Sequence, residues 1–213
     1  GSANHAITLG GDTDMQPDIV WIKNRDATDA HCLFNSVRGA TKVMHSNVTT
    51  AEATDADTLD SFASDGFQVD ADVKVNTSSE DYVAWCWKES ATAGIDIVGF
   101  TGTDAAHTES HSLSAVPHVM ILKNRETSEH WPVYHHRSSS SPEDRFLKLN
   151  HTFALGDDVN KWNDTAPTSS VFTVGTSTYT NEDGVGMIAY LFSEKQGFSK
   201  FGVYTGNGNA DGV

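Results

Sequence analysis

Cysteine and basic residues are scarce in this sequence, and each shortage excludes a class of protein. Only Cys32 and Cys86 occur in 213 residues, which is too few for the disulfide framework of a small secreted domain. We expect two buried thiols, with one disulfide as the alternative, because a free cysteine packs as a small apolar residue. Lys and Arg number 14 against 29 Asp and Glu, so the net charge is -15. This charge repels phosphate backbones, and nucleic acid is not an expected partner.

Long hydrophobic runs are missing as well. No apolar stretch approaches the roughly 20 residues that cross a bilayer, and the start GSANHAITLGG lacks the basic and apolar regions of a signal peptide. We therefore expect no membrane insertion. The acidic side chains are scattered among Thr, Ser, Asn and Gly, and 38% of the residues are hydrophobic, which predicts a folded domain and not a disordered chain.

Sequence motifs of common enzymes are the third absence. The chain has no G-x-S-x-G, no H-E-x-x-H, no P-loop and no glycine-rich dinucleotide turn. It also lacks a strand with paired acids alternating on one face, the usual arrangement in sandwich glucanases. We therefore predict that the protein is not an enzyme. A glycan-cleaving sandwich hydrolase stays open as the alternative, because two of the 29 acids could still converge across a cleft.

An internal repeat is the most prominent feature that the sequence does have. The stretch PDIVWIKNRD (17–26) returns about 100 residues later as PHVMILKNRE (117–126). Four more blocks follow in the same order, which predicts a tandem duplication with units at 1–92 and 93–213, or one continuous sandwich built from both. The further pairs are 33–47 with 133–150, 65–69 with 170–174, 76–89 with 181–194, and 94–104 with 197–208.

Apolar residues within these blocks recur with a period of two, which is typical of β-strands. The predicted fold is all-β, with tandem jelly-roll or concanavalin-like sandwich units. Alternation places Val83, Trp85 and Trp87 on one face of an inner strand, in the core. Both PDIVWIKNRD-type strands are expected to leave the core at their Lys-Asn-Arg.

Two segments have helical features, and a third raises the question of how the units connect. Residues 49–62 and 154–165 each place two apolar residues at helical spacing, so we expect short helical turns there.

The strand at 98–102 opens the second unit, whereas the first unit begins only at NHAITLGG. The surplus segment 197–206 could close the sheet of either unit, in which case the units interlock.

The blocks resemble a known family. PDIVWIKNRD, LFNSVRGATKVMHSN, AEATDADTLDSFASDGFQV and YVAWCWKE look like a module that recurs in structural proteins of marine tailed bacteriophages. The second half, ending in GVYTGNGNADG, is similar to a sister module, so the likeness covers nearly the whole chain. The resemblance implies a virion location in a tail or tail fibre, and a scaffolding or binding role. It implies no catalytic residue.

The segment EHWPVYHHR (129–137) is the richest in possible ligand contacts. We expect an edge strand with exposed polar tips, on which the adjacent His135 and His136 diverge and cannot chelate one ion together. As a glycan platform it would stack Trp131 on a sugar face, while the histidines and Arg137 donate to hydroxyls. Trp162, in the polar segment DDVNKWNDT, is predicted either to cover its own core or to form an exposed contact.

Calcium is the one cofactor that the sequence allows. The terminal NGNADG places Asn207, Asn209 and Asp211 at alternate positions before a glycine, as in a calcium loop. The bidentate Glu of such a loop is not present, and an Asn-Gly hairpin turn is the favoured alternative. We otherwise expect no cofactor.

Together these observations predict a non-enzymatic, tail-associated virion module with a structural or glycan-binding role. Its expected partners are a host surface glycan or other virion proteins, and a homo-oligomer is expected because such proteins act in symmetric assemblies. A purely architectural spacer is the further alternative. Any ligand site is expected within residues 129–145, where the two halves have diverged most and loops can vary.

Overall fold

The structure is a computed structural model that describes residues 4–209. It is all-β: antiparallel sheets dominate, and the described residues include three helices of four residues each. The strands are β1 (His5–Thr8), β2 (Ile19–Asn24), β3 (Cys32–Asn35), β4 (Lys42–His45), β5 (Ala53–Thr54), β6 (Leu59–Ala63), β7 (Gly66–Val69), β8 (Tyr82–Trp87), β9 (Ile95–Thr101), β10 (His107–Ser110), β11 (Val119–Asn124), β12 (Pro132–His135), β13 (Arg145–Lys148), β14 (Gly156–Asp157), β15 (Val171–Val174) and β16 (Gly186–Phe192). The helices are α1 (Val73–Asn76), α2 (Val159–Trp162) and α3 (Thr178–Asn181).

Each half of the chain forms one large and one small sheet. In the first half the large sheet has the order β5-β4-β3-β2-β8, and the small sheet has the order β1-β7-β6. In the second half the orders are β14-β13-β12-β11-β16-β9 and β10-β15. An apolar core lies between the two sheets of each half. The first core contains Val20, Ile22, Cys32, Phe34, Val43, Leu59, Phe67, Val69 and Val75. The second contains Leu113, Met120, Leu122, Tyr134, Phe146, Trp162, Phe172, Val174, Ala189 and Leu191.

The registers of the two large sheets show which residues correspond. Ile19 of β2 lies opposite Trp87 of β8, and Val119 of β11 lies opposite Phe192 of β16. Position 87 therefore corresponds to 192, and the correspondence runs back along both strands. The large sheets differ at one end: β9 pairs with the outer side of β16, whereas no strand of the described residues pairs with the outer side of β8.

The two large sheets pack against each other through a third apolar layer, here called the central layer. Odd-numbered residues of β2 and β11 point into it, so each sheet presents the same face, as in an isologous interface. Its buried members are Ile19, Leu33, Met44, Ile95, Ile97, Trp131, Ile188 and Tyr190. Buried polar bonds also join the halves: Asn35 Nδ2 donates to the Tyr190 hydroxyl at 2.7 Å, and Glu52 accepts bonds from both Arg38 and Arg125.

The repeated Lys-Asn pair does not leave the core, contrary to the sequence expectation. Asn24, Lys123 and Asn124 are fully buried. Each asparagine holds the turn that follows its strand, because the side-chain oxygen of Asn124 accepts the backbone N–H groups of the residues two and three positions later, as Asn24 does in the first half. The repeated asparagine therefore stabilises a turn inside the protein. The prediction that the motif leaves the core was wrong because it was based on the polarity of these side chains.

The helical prediction is wrong for 49–62 and right for 154–165. Leu59 and Phe62 lie on β6, and a β-bulge between Leu59 and Ser61 turns both side chains toward the first core despite their helix-like spacing. In the second segment α2 does form, with the Asp158 side chain accepting the N–H of Asn160 as its N-cap.

Candidate functional site

The two tryptophans predicted to contact a glycan are inside the protein. Trp131 and Trp162 are both 0% exposed. The Trp131 indole N–H donates to the Val48 carbonyl at 3.1 Å, and that of Trp162 donates to the Arg145 carbonyl at 2.9 Å. Neither ring has a face free for a sugar, so the glycan-platform prediction is wrong for both. Trp162 instead covers its own core, the other of the two roles expected for it.

His135 and His136 are half-buried and Arg137 is exposed, and β12 is an inner strand between β11 and β13, not the predicted edge strand. The rings of the adjacent histidines are 5.4 Å apart, and His136 also contacts the His118 ring and the Glu194 carboxylate. Burial lowers the pKa of His135. No group of three or more His, Cys, Asp or Glu in residues 4–209 is arranged to hold a metal ion.

The calcium-loop residues are only partly described. The Asn207 side chain accepts the N–H of Asn209 at 2.9 Å, which is the local bond of a turn. Asp211 lies outside the described residues, so the calcium prediction is not tested here.

Both cysteines are free thiols, as expected. Cys32 is buried in the first core, and burial raises its pKa to about 12. Cys86 is half-buried on β8, and burial raises its pKa to about 11. Both groups therefore stay protonated at neutral pH, and neither has the character of a nucleophile.

One pair of carboxylates comes close together, at the crossing between the halves. Burial and a hydrogen bond with Asp96 raise the pKa of Glu89 to about 7. Asp96 is 3% exposed, and its two oxygens accept the backbone N–H groups of Ile97 and Ser112. Glu89 in turn donates its backbone N–H to Asp18. Asp96 is thus occupied with holding backbone, and the pair does not form the open, two-sided arrangement of a glycosidase.

The most unusual surface of the molecule is the outer side of β8, here called the β8 edge. Trp85 on β8 is 45% exposed, whereas Tyr190, which corresponds to it on β16, is 2% exposed. The sequence predicted Trp85 to be in the core of an inner strand, and the structure corrects this because no strand within residues 4–209 pairs with the outer side of β8. An unpaired edge with apolar side chains is an energetic liability unless another strand covers it.

An apolar cavity lies beside one face of the β8 edge, between the two large sheets. This central cavity has a volume of about 670 Å³. Aromatic and aliphatic side chains from both halves line it, including Trp21, Trp87, Ile121, Tyr190, Phe192 and Phe198. Within the described residues the buried indole nitrogen of Trp21 has no hydrogen-bond partner.

A second cavity lies beside the other face of the β8 edge and is here called the lateral cavity. It has a volume of about 660 Å³, and Ile7, Ile22, Phe67, Tyr82 and Ala84 contribute to its walls. It opens at the side of the first core, where β8 and the small sheet leave a gap.

The second half shows what fills the corresponding gap. Register places Phe172 where the first half has Phe67, since His107 pairs with Val174 as His5 pairs with Val69. There, Phe100 of β9 packs edge-on against Phe172, with ring centroids 6.0 Å apart. The lateral cavity is therefore the space that a β9-like strand would fill in the first half.

Sequence reasoning missed this site, although a signal was present. The segments 94–104 and 197–208 are similar, and the second of them is in surplus, but periodicity alone does not say which strand ends a sheet. The open edge follows only from strand order.

Among known proteins, residues 1–213 match the family described as a domain of unknown function (DUF7483). No curated protein matches the chain, and no solved structure does. None of the helices within residues 4–209 has the length and apolar character needed to span a bilayer. Because the match extends over the whole chain, the protein belongs to the DUF7483 family.

Proposed function

We propose that the protein is a non-enzymatic structural module of a phage tail-associated assembly, in which it serves as a rigid building block. The virion location comes from the resemblance of its repeated blocks to modules of tailed-phage structural proteins. The choice of a structural over a glycan-binding role comes from the geometry, since the two indoles that would have contacted a sugar are buried and hydrogen-bonded.

The rigidity of the central layer supports a building-block role. Lys123 is fully buried and donates to the carbonyls of Thr49 at 2.9 Å and Glu129 at 2.7 Å, so one ammonium group fastens the second half to the first. Glu52 accepts from Arg125 of the other half at 2.9 Å. Buried, fully bonded polar groups fix one relative arrangement of packed elements.

The observation that carries the proposal is the β8 edge, with the apolar central cavity on one face and, on the other, the lateral cavity, whose lining is part apolar and part polar. In a protein that acts as a monomer, an unpaired edge is usually covered because it can pair with other chains. In a protein that assembles, the same edge can serve as the contact between subunits. The high negative charge keeps the remaining surface soluble.

Localisation on purified particles tests the proposal. Antibodies raised against the chain should label tails in immunogold electron microscopy, and the chain should be found by mass spectrometry in gradient-purified virions. A glycan array should show no binding, and no polysaccharide should release reducing ends. Absence from particles, or glycan cleavage, would contradict the proposal.

A further inference from the structure

We propose that the β8 edge is an acceptor for residues 198–204 of a second copy of this chain, which add to the first half as an outer strand. The inference rests on the proposed building-block function and names the contact through which the blocks join. One copy would thus complete the sheet of the next.

The donor segment corresponds in sequence to β9. GFSKFGVYTG (197–206) aligns with GIDIVGFTG (94–102). Both segments begin at a glycine with left-handed backbone, φ 81° at Gly94 and 86° at Gly197. Each glycine lies in a tight reversal closed by a bridge, Ser90 with Ile95 in one case and Lys195 with Ser199 in the other. A glycine-containing reversal therefore directs the chain out of both β8 and β16, and the second reversal is one residue shorter.

The register of β9 on β16 supplies the register of the donor on β8. Ile95 lies opposite Phe192, so Phe198 would lie opposite Trp87, and Phe201 opposite Ala84. Alternate residues then face opposite sides. Phe198 would point toward the central cavity, as Ile95 points into the central layer, and Phe201 and Val203 would enter the lateral cavity, as Val98 and Phe100 pack on the second core.

Backbone groups on the β8 edge are oriented for this pairing. The Arg25 N–H donates to the Asp81 carbonyl, so odd-numbered residues of β8 bond to β2. In an antiparallel strand the alternate residues turn their N–H and C=O groups the other way. Tyr82, Ala84 and Cys86 therefore direct theirs outward, as the corresponding residues of β16 direct theirs to β9.

The donor segment of the same chain does not pair with β8, although Phe198 and Phe201 line part of the central cavity. The Phe201 N–H donates to Glu194 at 3.1 Å, and the Phe201 ring packs 6.3 Å from Phe192 of its own half. Val203 and Tyr204 are 63% and 95% exposed. With the outer side of β8 unpaired in the described residues and Val203 and Tyr204 directed to solvent, a second copy is the occupant that would cover both surfaces.

Each copy carries one donor and one acceptor, so the copies would join either reciprocally, as a two-fold dimer, or head to tail in rings or filaments. Each copy carries a net charge of -15, and like-charged copies repel each other. Salt screens this repulsion, so association should strengthen between about 0.05 and 0.5 M salt.

Three variants of the full chain test the contact. Ala84→Pro removes an outward N–H without touching the bonds to β2, which an edge strand tolerates. Val203→Asp places a charge where the donor would enter the lateral cavity, yet the residue is exposed in the single chain. Val159→Asp, at 47% exposure on α2, is the matched control. Molar mass by light scattering and amide hydrogen exchange at Tyr82, Ala84 and Cys86 are measured over a range of concentrations.

We expect the wild-type chain to gain mass with concentration and to protect the three amides at the same time. Ala84→Pro and Val203→Asp should each weaken association at least about tenfold, while Val159→Asp should not. If these amides are protected while the molar mass stays that of a monomer, the proposal is overturned, because the chain's own segment would then pair with β8. Oligomers without protection, or a monomer without protection, would overturn strand addition itself. None of these results would alter the localisation test of the proposed function.

Discussion

The strands β8 and β16 occupy corresponding places in the two halves but have different surroundings. β16 lies between β11 and β9, and its five central residues are buried. Among the strands that the structure describes, β8 pairs only with β2, and Ala84 and Trp85 are exposed. Burial of the residues in β8 and β16 therefore depends on whether an outer strand like β9 lies beside them. It does not depend on the strand's own sequence, which is aromatic in both halves.

The largest expected effect contrasts two corresponding positions in the central layer. Trp131 and His31 both donate their backbone N–H to an asparagine side chain, Asn150 and Asn47, but only Trp131 fills the layer between the sheets. Trp131→Ala should lower the free energy of unfolding by about 3–5 kcal/mol because a large buried cavity forms. His31→Ala should lower it by less than about 1 kcal/mol. Chemical denaturation measures both, and equal effects would contradict the assigned packing.

A second contrast concerns β16 and β8 directly. Tyr190→Ala should cost about 3–4 kcal/mol, because the ring is buried and its hydroxyl accepts from Asn35. Trp85→Ala at the corresponding position should cost only about 1 kcal/mol in dilute protein, since half of that side chain already meets water. Thermal unfolding at low concentration is the measurement. A larger loss for Trp85→Ala would mean that the β8 edge is covered.

The third contrast uses the repeated lysine. Lys123 reaches across to Thr49, whereas Lys23 bonds only to Asn24 and Ala27 of its own turn. Lys123→Met should destabilise by about 2–4 kcal/mol because it leaves buried carbonyls unpaired. Lys23→Met should have a smaller effect in the same urea titration, and the reverse order would refute the role of Lys123 as a link between the halves.

The smallest expected effect concerns the pH dependence of folding stability. Corresponding glutamates in the two halves should contribute to it with opposite sign. The pKa of Glu89 is raised from 4.5 to about 7, so its protonated form stabilises the fold and that stabilisation is lost as pH rises through this range. Glu89→Gln should therefore gain stability relative to wild type between pH 4.5 and 8, on the order of 1 kcal/mol after solvent screening.

Glu194, at the corresponding position, is the control for that measurement. The Phe201 backbone N–H holds its pKa below the usual range, so its charged form stabilises the fold and the benefit is lost as pH falls. Glu194→Gln should lose stability relative to wild type at neutral pH and regain parity in acid. The same trend with pH for both variants would show that the two turns are electrostatically alike.

Much of the fold was predictable because alternation survives wherever a strand has one face in a core. The two faces of β8 were predicted correctly: Trp87 packs on the central layer, and Cys86 packs on the first core. The helical prediction for Leu59 and Phe62 was wrong because a β-bulge lets two residues three positions apart on one strand face the same core, as they would on a helix. The all-β class follows from period and turns, both of which are local properties.

The candidate site was less predictable, for physical reasons. Trp131 and Trp162 stand among polar residues in the sequence, yet backbone carbonyls accept their indole N–H groups and allow full burial. Trp85 stands among apolar residues and is exposed. Exposure of these three rings depends on which strands lie next to each other, which is a long-range property that local sequence does not encode.

Titration of the dilute chain with a synthetic peptide of residues 197–206 tests most directly whether the β8 edge accepts a strand. Peptide covering Trp85 and Trp87 should change the tryptophan fluorescence saturably, and protect the outward amides of β8 from exchange. A peptide carrying Val203→Asp should bind at least about tenfold more weakly. An unchanged spectrum with unprotected β8 amides at millimolar peptide would contradict the claim that the first half lacks, and can accept, its outer strand.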